Sequence, residues 1–259
     1  MMSPASPDLQ PTDRLNGLHM LGMVERRFLI NYPVPVERLQ AHLPPGSEFS
    51  QYNQTAWVSA CFVKMKNMRP SFMSGLPGMG YNYLIHRTRA RLPFPDGSRR
   101  EAVLVLQPNL NRRFVSWGGS LFTSIRFHTR SIRFTEDDQQ WRIRMNDRKT
   151  LLFDATISKD SVSPELPSDS CFESAEQADQ QLLGVSYGGQ WNPRKQTLNL
   201  LPETHEPWET LACRCQTHKN AFLEDLGLDN IHDDHAITMT NIPHYFGIRP
   251  WKQRLTCPT

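Results

Sequence analysis

Between residues 55 and 158 the chain repeats one pattern that leaves few folds open. Segments of β-branched and aromatic residues, several alternating apolar with polar, are cut off one after another by short turn sequences. T-A-W-V-S-A-C-F-V-K-M-K (55–66) is followed by segments at 81–92, 101–107, 125–134, 140–145 and 150–158, with P-F-P-D-G, E-D-D-Q-Q and N-D-R-K among the breaks. A period of two sends successive side chains to opposite faces of a pleated strand. Turns this short return each strand antiparallel to the last. The middle of the chain therefore predicts a meander, with residues 109–117 as a loop inside it. Further strands are expected at 23–30, 197–201, 208–216, 236–240 and 245–249. The fold class that follows is α+β, mainly β.

Helices are predicted at three places. In P-V-P-V-E-R-L-Q-A-H-L-P-P-G, Pro35 suits a first helical turn, Val36, Leu39 and Leu43 lie on one face, and Pro44-Pro45-Gly46 forces a stop. Ser170 with Glu173 has the spacing of a capping box, and Phe172, Ala175, Ala178 and Leu182 form one stripe before Gly184. A short helix over 218–226 would end at Gly227, whereas V-S-Y-G-G-Q-W (185–191) reads as a turn-rich link. Residues 1–15, rich in Pro, Ser and Asp, are expected to be a leader, and 16–259 a single domain.

Bulk properties narrow the function classes. Apolar residues make up 38% and charged residues 21%, enough for a substantial core. A net charge of +3 spread over 259 residues gives no nucleic-acid footprint. The arginine-rich stretch Arg126, Arg130, Arg133, Arg142 and Arg144 reads better as the solvated face of alternating strands than as a polyanion site. No apolar run is long enough to cross a membrane, and M-M-S-P-A-S-P-D-L-Q-P-T-D lacks the basic and apolar regions of a signal peptide, so a cytoplasmic protein without a membrane partner is expected. Five cysteines at irregular spacing predict reduced thiols.

Three motif readings are weak. Gly118-Gly119-Ser120 lacks the second glycine of a nucleophile elbow, and neither Gly75–Gly80 nor Tyr187-Gly188-Gly189 has the lysine and hydroxyl of a phosphate loop. Cys213, Cys215, His218, His232 and His235, with His205 and His244, crowd the last quarter. Zinc favours such ligands, but Cys213-x-Cys215 on a strand pinches a tetrahedral metal poorly and no second cysteine pair follows. Zinc binding is the weaker alternative; the expected cofactor and metal complement is none.

A resemblance adds to this. The segment W-G-G-S-L-F-T-S-I-R-F-H (117–128) resembles the G-x-x-L-W/F-G-x-P-K-K stretch of the acetoacetate decarboxylase superfamily. With F-L-I-N-Y-P-V-P-V-E-R-L-Q-A-H-L-P-P-G, Y-L-I-H-R-T-R-A-R-L, H-E-P-W and I-P-H-Y-F-G-I-R-P-W, the chain resembles the domain-of-unknown-function 2071 family of that superfamily over roughly residues 23–251. The resemblance implies a curved antiparallel sheet closed into a cone-like barrel, with peripheral helices outside and a pocket within. It sets Arg126 where the superfamily's Schiff-base lysine stands, Phe127 at the second lysine, Tyr83 at an acid, and retains an arginine as Arg87. Schiff-base formation needs a neutral amine, whereas a guanidinium stays protonated and cannot condense with a keto acid. Lysine-dependent decarboxylation is therefore excluded at that position.

What remains is a binding set. Arg126 and Arg87 would hold a small anionic ligand such as a carboxylate or keto acid, with Tyr83, Trp117 and Ser120 in the wall and His128 shuttling a proton beside a carbonyl. Solvent-facing side chains on a strand are the plainer reading of Arg126 and His128. A non-catalytic ligand-binding or assembly module, with its arginines in salt bridges at the rim, is the alternative, and homo-oligomerisation is compatible with either.

Overall fold

The computed structural model describes residues 19–73, 75–123, 125–183, 185–205, 208–228, 232–247 and 251–255, with backbone alone at 119–123, 203–205, 246, 247 and 251. The expected leader lies outside them. In chain order the elements are β1 (His19–Val34), α1 (Val36–Leu39), β2 (Glu48–Phe49), β3 (Gln51–Tyr52), β4 (Thr55–Pro70), β5 (Met79–Pro93), β6 (Arg99–Leu110), α2 (Arg113–Thr123) and β7 (His128–Thr129). They continue with β8 (Ser131–Glu136), β9 (Gln140–Asp147), β10 (Thr150–Ser158), α3 (Ala175–Leu182), β11 (Tyr187–Asn192), β12 (Thr197–His205), β13 (Leu211–Cys213), β14 (Cys215–Asn220), α4 (Ala221–Asp225), β15 (His235–Gly247) and β16 (Trp251–Arg254).

A twelve-stranded sheet runs β13-β15-β1-β4-β5-β6-β11-β12-β16, with the short β2, β3 and β7 added on β5, β4 and β6, and three residues of β12 pair in addition with the end of β15. A second sheet of four strands, β14-β10-β9-β8, carries the later half of the predicted meander. The chain is mainly β with a few short helices, as its alternating pattern requires.

The large sheet is a middle layer, which is why its central strands are apolar on both faces. One face presents Phe28, Ile30, Phe62, Leu84 and Leu104 to the four-stranded sheet's Ile143, Met145, Phe153 and Ala155 and to Phe222 and Leu223 of α4. Phe28 meets Trp141 at 5.2 Å and Phe62 meets Phe134 at 5.2 Å between ring centroids. Each ring so buried contributes roughly 1.5–3 kcal/mol. The opposite face presents Leu29, Trp57, Cys61 and Val63 to Phe172, Ala178, Leu182 and Leu183, in and around α3.

Several elements differ from the sequence reading. Residues 113–123 form a helix, where a loop was expected over 109–117 and no element over 118–124. The roughly 1 kcal/mol that each helical glycine costs is offset by tertiary ties: the buried Ser116 hydroxyl donates to the Phe127 carbonyl at 3.1 Å. Helix α3 begins later than the capping-box spacing predicts, because Ser174, not Ser170, accepts the Gln177 N–H. Pro35 is the N-cap of α1, not a residue of its first turn. The expected link at 185–191 is largely strand β11, and the two strands expected at 236–249 are the single β15.

Close approach explains two glycines. A Cβ on Gly189 would sit 2.9 Å from Leu200 Cδ2 and 3.3 Å from Leu92 Cδ1, so any larger residue there requires the Leu200 side chain to shift. At Gly78 a Cβ would fall 2.2 Å from the Asn67 carbonyl carbon, where β4 breaks register between Met65 and Met68. Backbone cannot swing aside as a side chain can. Gly78→Ala is expected to cost roughly 2 kcal/mol or more, seen as a lower chemical-denaturation midpoint; a variant as stable as the parent contradicts that packing.

Candidate functional site

Strand register places four buried polar residues in one line across the large sheet. His235 on β15 stands opposite Asn31 on β1, Asn31 opposite Ser59 on β4, and Ser59 opposite Arg87 on β5. Their exposures are 0%, 0%, 3% and 6%. Buried polar groups persist where they are hydrogen-bonded. Ser59 donates its hydroxyl to Asn31 Oδ1 at 2.7 Å, and Asn31 Nδ2 donates to the carbonyls of Leu29 and His235. His235 Nδ1 lies 2.6 Å from Asp234 Oδ2, and its ring meets Phe172 edge-on. Burial raises the Asp234 carboxyl, but hydrogen bonds from His235, Ser170 and the Cys171 N–H outweigh it and bring the group to about 2.

The line ends in a cleft between β4, β5, β6 and the end of α3, walled by Trp57, Ser59, Thr88, Val103 and Leu182 with Arg87 and Arg89. Both arginines reach the last turn of α3. Arg87 donates to the Leu182 carbonyl at 3.1 Å and Arg89 to that of Gln180. Helix-end carbonyls lack intrahelical donors and carry partial negative charge, so two guanidinium groups are well placed there. Burial pulls the Arg89 pKa down while Glu101, 3.6 Å away, pulls it up. Arg91 shares Glu101 at 3.5 Å on the exposed side. The lining residues include no lysine.

Arg87 is thus placed at a cleft; the rest of the expected set is dispersed. Tyr83 is on the same face of β5, half-buried, its ring 6.2 Å from that of Tyr81 and away from the cleft walls. Arg126 is exposed in the segment before β7 and is fixed through its main chain, whose N–H donates to Gln190 Oε1 at 2.8 Å. That segment is not a strand, so the shared face expected for Arg126 and His128 does not arise. His128 is exposed on β7, opposite Asn109 of β6; burial of its ring and Arg130 lower its pKa, against a raising pull from Asp147. Trp117, expected in a pocket wall, is 68% exposed on α2. The side chain of Ser120 lies outside the described residues.

Sequence reading missed Asn31, Ser59 and Arg27, and took His235 as a candidate metal ligand, not as the partner of Asp234. Arg27 is 4% exposed, with its guanidinium carbon 5.3 Å from the Trp208 ring. A usable signal was present for two of them: Asn31 and Ser59 interrupt runs otherwise apolar on both parities, and a polar residue on a doubly buried strand is the informative kind, whereas Arg27 follows Glu25 and Arg26 and looks like more of the same charged stretch.

The Cys/His-rich quarter does not assemble as ligands. Among the described residues no three His, Cys, Asp or Glu groups gather as a metal site. Cys213 donates its thiol to the Ala236 carbonyl, and burial pushes that thiol to about 12; the Cys215 thiol is likewise raised by burial. His218 lies 3.0 Å from the Thr156 hydroxyl. Of the arginine-rich stretch, Arg133, Arg142 and Arg144 lie on the four-stranded sheet, where Arg133 stands opposite Arg144 and both Arg142 and Arg144 reach Asp154, at 2.7 and 3.4 Å; Arg126 and Arg130 flank β7 instead.

Similarity to known proteins agrees with this architecture. A comparison with curated proteins gives no match. Among solved structures, the acetoacetate decarboxylase of Legionella pneumophila aligns with a TM-score of 0.63 at 13% identity, covering 90% of this chain and 86% of that one. An acetoacetate decarboxylase-like enzyme from Sphingomonas wittichii aligns at 0.61 and 12% identity, covering 98% and 100%. The enduracididine biosynthesis enzyme MppR, complexed with the condensation product of pyruvate and imidazole 4-carboxaldehyde, aligns at 0.60 and 11% identity, covering 96% and 97%. Identities this low establish a shared fold and no shared activity. The sequence profile of DUF2071, described as an uncharacterized conserved protein, matches residues 23–242, and the chain belongs to that domain-of-unknown-function 2071 family.

Proposed function

We propose that the protein binds a small anionic organic molecule, a carboxylate or keto acid, in the cleft at Arg87, and that it does so without a covalent intermediate. The observation that carries this reading is a 6%-exposed guanidinium lining a cleft beside a buried serine and the indole of Trp57; the cleft has room for about one water (about 10 Å³), so a ligand enters only as Leu182 and the last turn of α3 draw back from Arg87. A planar guanidinium matches a carboxylate bidentately, the Ser59 hydroxyl supplies a further polar contact, and the indole gives an apolar wall. With no lysine in the lining, Schiff-base chemistry has no nucleophile there. The β12–β15 pairing supports the further reading that the large sheet acts as a cone, one wall of which carries this cleft. MppR, a neighbour in fold, is known complexed with pyruvate and with the condensation product of pyruvate and imidazole 4-carboxaldehyde, which is compatible with this reading.

If the ligand is turned over, Arg87 is the group positioned to stabilise a developing oxyanion. His128, its pKa lowered, is neutral at pH 7 as a general base must be, but it stands outside the cleft. Binding is therefore the primary reading; the acid/base step expected of His128 and Arg126 draws no support from their exposed positions outside the cleft.

Thermal-shift titration against keto acids and simple carboxylates tests this. Ligand at a hundred times its Kd stabilises the fold by about 2.7 kcal/mol. Stabilisation is expected in the parent and in Arg126→Ala, to be lost in Arg87→Gln and only partly recovered in Arg87→Lys, which keeps charge without the fork. No response from any acid, or equal responses in parent and Arg87→Gln, rejects the cleft.

A further inference from the structure

We propose that the end of the large sheet formed by residues 71–79 and α2 is a peripheral docking surface for an anionic lipid bilayer. Among the described residues every exposed large hydrophobic falls on these two segments: Phe72, Met73, Leu76, Met79, Phe114 and Trp117. Phe72, Phe114 and Trp117 expose 69%, 69% and 68% of their surface. An isolated exposed apolar side chain needs no explanation, but a cluster does.

Topology brings the segments together. Strand β4 ends at Pro70 and β5 begins at Met79, so the described residues 71–73 and 75–78 lie at this end of the sheet. Strand β6 finishes at the same end, with Leu110 opposite Tyr83 and the Asn111 N–H donating to the Asn82 carbonyl at 3.0 Å, and α2 follows directly. Phe114 and Trp117 stand one helical turn apart, ring centroids 6.5 Å from each other. None of these side chains packs into either core cluster.

Charge selects the occupant. From residue 49 to 95 and again from 102 to 135 the sequence contains no aspartate or glutamate, although the chain as a whole is nearly balanced. Arg69 precedes the first apolar segment, and the exposed Arg112 and Arg113 open the second. The one nearby acid on β1, Glu25, is shared by Lys64 and Lys66 at 2.9 Å each. A second copy docking through this patch would bring two cationic rims together, which costs energy. An anionic lipid surface instead accepts the rings at the interface and the arginines at the headgroups. No described helix is long and apolar enough to cross a bilayer, so the contact is a surface one.

Co-sedimentation of the full chain with phosphatidylcholine vesicles, with and without phosphatidylglycerol, tests this. Pelleting is expected with the anionic vesicles alone, weakening as salt rises. The double variant Phe72→Ser with Phe114→Ser is expected to bind them about tenfold less or weaker, while its thermal unfolding stays close to the parent's because neither ring is in the core. Absence of pelleting, equal pelleting of the variant, or a parent dimer in light scattering that the double variant dissociates would each overturn the proposal. These readouts are independent of the Arg87 cleft.

Discussion

Asp234→Ala is expected to lower the free energy of unfolding by about 3 kcal/mol, because it removes the acceptor for three donors at once, the buried His235 ring, the half-buried Ser170 hydroxyl and the N–H of the exposed Cys171. The Asp234 side chain is 2% exposed and accepts from His235 Nδ1 at 2.6 Å, the Ser170 hydroxyl at 2.7 Å and the Cys171 N–H at 2.6 Å. One carboxylate therefore pins the 170–172 segment to the start of β15. Phe172 rides on that segment, with ring centroids 4.5 Å from Trp57 and 4.9 Å from Tyr52. Loss of the clamp should loosen the cover over the polar line and raise hydrogen exchange through α3. Asp234→Asn, which keeps an acceptor oxygen, should lose about half as much. Urea unfolding measures the first effect and exchange mass spectrometry the second; a change in Asp234→Ala below about 0.5 kcal/mol, typical of a surface site, would show that the clamp carries no weight.

The second large effect is a loss of stability in mild acid. His86 is 1% exposed on β5, stacked on Phe222 at 4.6 Å and edge-on to Phe153 at 6.2 Å. Burial lowers its pKa to about 4, outweighing the raising influence of Asn220 and Gln107. An unfolded histidine titrates near 6.5, so above that pH both states are neutral and the group contributes no slope. As pH falls from 6.5 to 4 the unfolded chain takes a proton that the folded chain refuses, and stability drops by about 3 kcal/mol in all. His42, packed against the same Phe222 at 5.9 Å and lowered by burial, adds to the slope with the same sign. Asp234, with its carboxyl near 2, contributes only at lower pH, between its ordinary value and 2. His86→Phe keeps the ring stack and removes the proton site. Denaturation midpoints from pH 7 to 4 should therefore fall steeply in the parent and much less in the variant, and parallel curves would assign the slope elsewhere.

Much of the architecture was legible because it is written in local periodicity. The strands at 55–66, 81–92, 101–107, 140–145 and 150–158 carry alternation or β-branched runs between strong turns, and β4, β5, β6, β9 and β10 contain them. Element ends and types failed where tertiary contacts overrode local preference. Residues 109–117 read as a loop, yet 113–123 is helical; Ser170 reads as a cap, yet its hydroxyl is drawn to Asp234, 64 residues away. Gly188-Gly189 reads as a turn, yet close packing against Leu200 makes it a strand.

The candidate site was less legible. Arg87 was singled out and lines a cleft, whereas Arg126 and Trp117, chosen on the same resemblance, are exposed. Asn31, Ser59 and His235 come from strands far apart in the chain, and only sheet register aligns them.

Taken alone, the sequence determined that the chain is mainly β, that it carries helices near Pro35 and before Gly184, and that residue 126 cannot form a Schiff base, because alternation, turn chemistry and side-chain pKa are properties of neighbouring residues or of one residue. Which face of each strand is covered, which arginine lies in a cleft and which acid clamps which loop were decided only by the tertiary structure. Those depend on pairing between segments up to some two hundred residues apart, such as Asn31 and His235, and no local pattern encodes the register that brings them together.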